Sequence, residues 1–405
     1  MIRAACTIVS LNYLPYARTL CESYIRLHPD HAFYVLLVDR LPVGMDISQE
    51  QFEMVLVEDL GIPDFDSVAF KYDLLKLNTN VKPTFLKSLL ARCVDELIYF
   101  DPHILICSPF DAVFEALGAH SIVLTPHALS PNVDAPSGEA MLLFSGIFNL
   151  GFVAVSRSPE AVRFLTWWED RCLTLGYAER MSGLFVDQKW INFVPCFFES
   201  FCVLKHAGCN VAYWNLHERY LEKRDDCWIV NGQVPLVFYH FSGVRVDGGA
   251  TISKFYDQFT LDSRPDLRDI FALYRDRLIH HGIREVGSFV YAFGRFSDGT
   301  LVNKLQRAIY AGCIDSFRNT SPFDAQGSFC QWAKKHRLQS GIESSAQYNR
   351  HTIDRLDIRV RFVNGMLRLA LRILGADRYT LLLKYFGFIS VLRNQKDLFR
   401  DLPAG

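Results

Sequence analysis

This sequence predicts an α/β fold, a doubly wound sheet that is mixed but mainly parallel, followed by a mostly helical C-terminal region. Three observations carry that prediction. Short β-rich runs alternate with helical patterns through the first third, half of the 405 residues are hydrophobic, and no apolar run reaches the roughly 18–20 residues that span a bilayer. The charge balance narrows the class further. Lys and Arg number 43 against 44 Asp and Glu, a formal charge of −1, which speaks against a nucleic-acid partner. With 14% aromatic residues the chain can pack a large core, and its length suits two or three units.

Taken in order, Ala5–Leu11 reads as the first strand, Ala17–Arg26 as a helix and Phe33–Val38 and Met54–Val57 as strands. Lys82–Ala91 then reads as a helix leading into the strand Glu96–Phe100. Such parallel strands gather ligands beyond their carboxyl ends, here Ser10–Tyr13, Asp39–Arg40 and Asp101–His103. Next come Ser121–Thr125, a Pro- and Ser-rich loop Pro126–Gly138 suited to a lid or an acceptor loop, the run Gly146–Val155, a helix Pro159–Leu173 and an apolar helix Gln188–Phe193. Asp266–Gly282 reads as a helix ended by Gly282, and Tyr291–Thr300, Ser321–Phe323 and Gln326–Ser328 as turns and loops. From Arg350 to Asp401 eleven Lys and Arg stand against five Asp. There Arg361, Asn364, Arg368 and Arg372 share one helical face, with Phe362, Met366, Leu369 and Ile373 among the apolar residues around the remainder. A helix docked on the body with a solvated arginine face is the expected use, and binding to a membrane surface is the alternative.

Eleven cysteines are spread singly with no CxxC pair, and Cys6, Cys107, Cys196 and Cys202 lie inside apolar stretches, so they read as reduced, buried thiols. The early run Ala4–Leu11 lacks the apolar length and cleavage site of a secretory signal, which points to the cytoplasm.

The chemistry concentrates after Glu96, where an apolar strand runs straight into Asp101-Pro102-His103. Two apart on an extended turn, Asp101 and His103 can face one divalent cation, although such a triplet is also an ordinary capped turn. Three further stretches accompany it: Phe148-Asn149-Leu150-Gly151-Phe152, the pair Asp187-Gln188, and Tyr239-His240-Phe241-Ser242-Gly243 after the apolar run Val234–Phe238.

In this order the four motifs resemble the glycosyltransferase-A, Rossmann-like fold of nucleotide-sugar enzymes, most nearly the glycogenin and lipopolysaccharide-galactosyltransferase family, over roughly residues 5–255. Tyr213-Trp214-Asn215-Leu216 and Tyr291-Ala292-Phe293-Gly294-Arg295-Phe296 are similar to later segments of bacterial polysaccharide-cluster glycosyltransferases. The resemblance implies a catalytic domain at 1–255, a helical and loop extension at 256–345 and a basic amphipathic helical segment at 346–405. It implies a retaining hexosyltransferase moving sugar from a nucleotide-sugar donor to a glycan or lipid-linked acceptor, in cell-surface polysaccharide synthesis. Peripheral contact with the inner membrane face would run through the C-terminal segment.

Residue by residue, the resemblance implies a divalent metal held by Asp101, His103 and His240. The family pattern ends in a second Asp where this chain has His103, so Mn2+ is favoured over Mg2+ and metal-independent activity is an alternative. Asp187 would accept bonds from donor-sugar hydroxyls and Gln188 would lie near the anomeric carbon, while Asp187 also reads as an N-cap. Ser10, Asn12, Tyr13 and Asp39 would meet base and ribose, Lys82 would be a basic residue near the nucleotide, Asn149 and Gly151 would meet the sugar, and Gly243 the diphosphate. The family's Lys-Pro-Trp element is replaced by Val244-Arg245-Val246-Asp247, so Arg245 or Lys254 would supply the phosphate-binding cation, unless both are surface charges. Plainer readings make Tyr13 a half-buried loop aromatic and Lys82 a helix-start charge. Two competing functions stand beside this one. One is a catalytically silent glycosyltransferase-like domain that binds nucleotide sugar or a partner enzyme. The other is a nucleotidyltransferase-like sugar activator, which needs a Gly-rich phosphate loop that Ser10–Arg18 lacks.

Overall fold

The computed structural model describes residues 1–133, 136–225, 227–285, 289–339, 357–399 and 402. These fall into two compact units, Met1–Phe65 with Leu74–Ala292 and Asp66–Asp73 with Phe293–Gly405. Strands of the first unit are β1 Arg3–Val9, β2 Ala32–Leu37, β3 Glu53–Leu56, β4 Glu96–Phe100, β5 Ile104–Ile106, β6 Ile122–Pro126, β7 Phe148–Ser156, β8 Ala178–Glu179, β9 Leu184–Phe185 and β10 Phe201–Val203. After them come β11 Leu221–Arg224, β12 Cys227–Val230, β13 Val234–Pro235, β14 Phe238–His240, β15 Thr251–Ser253 and β16 Tyr256–Thr260.

Seven of these strands build one sheet in the order β10-β6-β7-β4-β1-β2-β3. Parallel pairs join β1 to β2 and β4, β2 to β3, and β6 to β10, while β7 runs antiparallel between β4 and β6. This is the mixed, mainly parallel α/β sheet that the alternation predicts. Its central strands are apolar on both faces, every residue of β4 being buried, because helices cover a parallel sheet from both sides. β5 leaves the sheet to pair antiparallel with β14, which carries the chain end of that pair up to His240.

Helices of the chain are α1 Leu14–Ile25, α2 Phe65–Lys71, α3 Leu74–Asn80, α4 Lys82–Ala91, α5 Asp111–Ala119, α6 Pro136–Ser145, α7 Pro159–Leu175, α8 Val194–Phe197, α9 Arg268–His280, α10 Lys304–Gly312, α11 Ser328–Lys335 and α12 Ile358–Ser390. α1, α4 and α7 each place a proline in the first turn, where no N–H is required, and Ser158 Oγ accepts from Ala161 N at 3.1 Å to cap α7.

Four expectations are corrected. The loop read at Pro126–Gly138 is helical from Pro136 onward. Gln188–Phe193 is a 3-10 turn, Lys189–Phe193, that passes into the short α8. The unit boundary expected after residue 255 falls after Ala292, because Ile270, Phe271 and Tyr274 of α9 pack with Leu216, Trp228 and Phe241 of the preceding chain. The buried face of a docked C-terminal helix is not found among the described residues: no residue of α12 is buried. Arg350 and the rest of 340–356 lie outside the described residues, as do Arg400 and Asp401.

In the second unit the buried Arg307 donates to the carbonyls of Ala69, Phe70, Tyr72 and Phe293, so one guanidinium ties the 66–73 segment to the later chain. Phe70 packs there among Phe296, Tyr310 and Phe329.

Candidate functional site

The carboxyl end of β4 meets β7 and β14, and these elements position one polar cluster. Asp101 N donates to Gly151 O at 2.8 Å, Phe241 N donates to His103 O at 2.8 Å, and His240 N donates to Val211 O at 2.8 Å. Three backbone bonds thus bring together residues far apart in sequence. One ligand atom from each of Asp101, His103 and His240 lies within 4.8 Å of the others, and the two imidazoles meet edge to face at 4.8 Å between centroids.

The hydrogen bonds fix where the protons sit. Asn149 Oδ1 accepts from Gly151 N at 3.2 Å, which sets the orientation of that amide, and the same oxygen lies 3.2 Å from His240 Nδ1. His240 Nδ1 is therefore the donor, and Nε2 keeps its lone pair. That Nε2 is buried without a partner and faces Asp101 Oδ2 at 3.7 Å. Two acceptors face each other with no proton between them. Burial depresses the His240 pKa far below its usual value, helped by repulsion from His103, His127 and Lys82. Burial also lowers that of His103, against the pull of Asp101, and His103 Nδ1 likewise has no partner. Neutral imidazoles with orphaned nitrogens beside a carboxylate form a donor set that fits a divalent cation. Tyr99 braces it by donating to Asp101 Oδ1 at 2.8 Å.

Next to this cluster lies a buried ion pair. Lys82 Nζ, essentially without solvent exposure, donates to Asp187 Oδ2 at 2.6 Å and to Leu150 O at 2.7 Å, and sits 4.3 Å from the centroid of the Tyr99 ring. Burial pushes the Asp187 carboxyl upward while Lys82 pulls it down. Lys82 is not the solvated helix-start charge considered above. Nor does Asp187 cap the turn after it: Gln188 holds that position, and no side chain caps it. Gln188 is spent on the backbone, its Oε1 accepting from Leu150 N at 3.0 Å and its Nε2 donating to Ser145 O at 3.1 Å.

The two glycines serve side chains of the protein itself. A Cβ on Gly151 would stand 2.3 Å from His240 Cε1, so this glycine admits the imidazole. Gly243, at φ +74°, is crowded by Ser253 Oγ and the Phe255 ring of the β15–β16 hairpin, whose Lys254 N donates to its carbonyl at 2.9 Å. Of the two candidate cations, Arg245 pairs with Asp247 at 2.7 Å on the surface, whereas the charge of Lys254 acts on His103.

At the end of β1, Ser10 Oγ donates to Asn12 Oδ1 at 2.6 Å, and the exposed Tyr13 stacks on Tyr16 at 4.7 Å. Asp39 is buried and accepts from Arg40 N, Ala292 N and Leu11 N at 3.0, 2.9 and 3.4 Å, so its carboxylate already holds three backbone groups of its own chain. Sequence reasoning missed Tyr99 and His127, and gave Trp214, within its segment Tyr213-Trp214-Asn215-Leu216, no place at this site. Tyr99 could have been found, because the two-residue period of a strand puts it on the face of Asp101. His127 follows the carboxyl end of β6, the kind of place where ligands gather, and its Nε2 lies 3.2 Å from Asn149 Nδ2. Trp214 meets the His240 ring edge to face at 5.0 Å, a contact no spacing reveals.

No family model matches the chain. Two proteins of Bacillus subtilis (strain 168) are similar to it. The uncharacterized protein YfnF is 24% identical over 285 residues, covering 69% of this chain and 93% of that protein. The uncharacterized protein YfnD is 24% identical over 291 residues, covering 67% of this chain and 91% of its own length. Among solved structures, the chain is similar to a glycosyltransferase involved in glycosylation of the major capsid of PBCV-1, at a TM-score of 0.37 and 9% identity over 69% of this chain and 100% of that one. It is also similar to the galactosyltransferase LgtC in complex with donor and acceptor sugar analogs, at 0.41 and 15% over 67% and 95%. A third similar structure is the glycosyltransferase GlyE of Streptococcus pneumoniae TIGR4, at 0.41 and 14% over 71% and 64%.

Proposed function

We propose that this chain is a metal-dependent glycosyltransferase that moves a hexose from a nucleotide-sugar donor to a glycan or lipid-linked acceptor, with retention, in cell-surface polysaccharide synthesis. One observation carries the reading: Asp101, His103 and His240 converge beyond the carboxyl end of β4, with His103 Nδ1 and His240 Nε2 unpartnered. The order of the four motifs resembling nucleotide-sugar enzymes supports it independently. A divalent ion held by these three residues would neutralise charge developing on a departing diphosphate. Two nitrogen donors and one carboxylate favour Mn2+ over Mg2+.

The remaining residues have roles their contacts support. Asn149 orients His240 through Nδ1 and so keeps Nε2 available. Lys82 pulls against the burial that raises the Asp187 carboxyl, and its bond to Oδ2 leaves Oδ1 able to accept from a sugar hydroxyl. Gln188, bonded at both ends of its amide, positions β7 against α6, and contact with the anomeric centre would require it to release one of these bonds. Lys254 is the better candidate for the diphosphate cation, since Arg245 is engaged by Asp247. Ser10, Asn12, Tyr13 and Asp39 form the nucleoside end of this reading.

Thermal shift across UDP-, GDP-, CMP- and dTDP-sugars, each with and without Mn2+, tests it. One donor should raise the midpoint only with Mn2+, and Asp101→Ala should abolish both that shift and donor hydrolysis. No shift with any donor would refute the reading. A shift without hydrolysis or transfer would make the chain the silent binding domain.

A further inference from the structure

The helix α12 buries none of its residues, although it is rich in large apolar side chains. It breaks at Gly375, where φ is +72°, into stretches 358–374 and 376–390. At about 100° per residue, Arg361, Asn364, Arg368 and Arg372 of the first stretch fall within an arc of roughly 80°. Apolar residues take the opposite arc of roughly 220°, with only Arg359, tied to Asp357 at 2.6 Å, interrupting it in the first turn. Along this arc Phe362 is 68% exposed, Met366 57%, Leu369 58% and Ile373 71%. The arginine face carries no acid, and Arg361, Arg368 and Arg372 have no ion-pair partner among the described residues.

We infer that this helix lies in the interface of an anionic lipid bilayer, its apolar arc in the acyl boundary and its arginines among the headgroups. The charge pattern selects that occupant. Phosphate headgroups complement an acid-free arginine face, and a planar apolar boundary covers a wide arc, whereas packing against a second copy of this helix covers a stripe of about 100° and leaves most of the arc in water. Over 357–399 eight Lys and Arg stand against three Asp, so the second stretch and the turn after it carry the same sign. Lying on the surface, and not crossing it, follows from length and charge. Neither stretch reaches the roughly 20 apolar residues a span requires, and no helix among the described residues is long and apolar enough to cross a membrane. This association is independent of the sugar chemistry proposed above, because its readout needs no donor.

Flotation of the full chain with vesicles of phosphatidylcholine alone, or of phosphatidylcholine with phosphatidylglycerol, tests the inference. Co-flotation is expected with the anionic vesicles at low salt and should fade at high salt. The triple variant Arg361→Gln, Arg368→Gln, Arg372→Gln should weaken partitioning about a hundredfold, at about fivefold per charge. The triple variant Phe362→Ser, Met366→Ser, Ile373→Ser should abolish it, with an unchanged thermal midpoint, since these side chains are mostly exposed. Should that variant fold poorly, the arginine variant decides alone. The inference is overturned if the parent does not float, if it binds neutral vesicles equally well, or if it forms a concentration-dependent dimer that the apolar variant dissolves.

Discussion

The carboxyl end of the central sheet and the helix α12 depart from the usual burial pattern in opposite directions. At the sheet, Lys82, Asp187, Asn149, His127 and His240 are all buried, and each costs desolvation that its partners must offset. On α12, Phe362, Met366 and Ile373 are exposed, and nothing in the described chain removes them from water. Both regions keep groups where folding alone would not place them. The difference lies in what would complete each: a small cationic ligand for the first, an extended apolar surface for the second. Stability measurements should separate the two, because perturbing the buried network acts on folding whereas perturbing the helix does not.

The sharpest break in this comparison is Lys82→Met. It strands the Asp187 carboxylate beside Leu150 with its paired cation gone, and breaking a buried pair costs about 3–5 kcal/mol. Urea denaturation should report a loss of that size, and a loss under about 1 kcal/mol would refute the importance of the pair.

Acid should weaken the same region next. Burial pushes the His127 pKa down to about 4, against about 6.5 when unfolded. Below pH 6.5 the unfolded chain takes up a proton that the native site refuses, so stability is full above about 6.5 and falls as pH drops toward 4. The loss amounts to about 3 kcal/mol for this group. His28, also held down to about 4 by burial and by His31, adds in the same direction. Comparing denaturation of the parent and of His127→Gln across that window isolates the effect, and parallel curves would show that His127 does not titrate this way.

The smallest expected change is on the helix. Met366→Ser should alter the unfolding free energy by no more than about 0.5 kcal/mol, the range for exposed positions away from special features. A larger loss would mean that α12 is packed in solution, and the contrast between the two regions would collapse.

Much of the sheet was legible because its strands announce themselves locally. Lys82–Ala91 and Glu96–Phe100 match their helix and strand residue for residue, and the others shift by up to about three residues at their ends, where fraying and capping blur any pattern. The motif order also singled out Asp101, His103 and His240. The partners of Lys82 were not legible, since Asp187 lies 105 residues away and no periodicity links α4 to the turn after β9. For the same reason the His240 ring that needs Gly151 to lack a Cβ was not legible.

Hydrophobic period and residue type were sufficient for the elements, for the mainly parallel sheet and for the amphipathic character of 358–374, because each depends on neighbours a few residues apart. Which polar groups meet, which imidazole nitrogen keeps its lone pair and whether an apolar face finds cover depend on contacts across many residues. Those were decided when β5 paired with β14, which set His240 beside Asp101 and His103, and when α12 found nothing among the described residues that buries it.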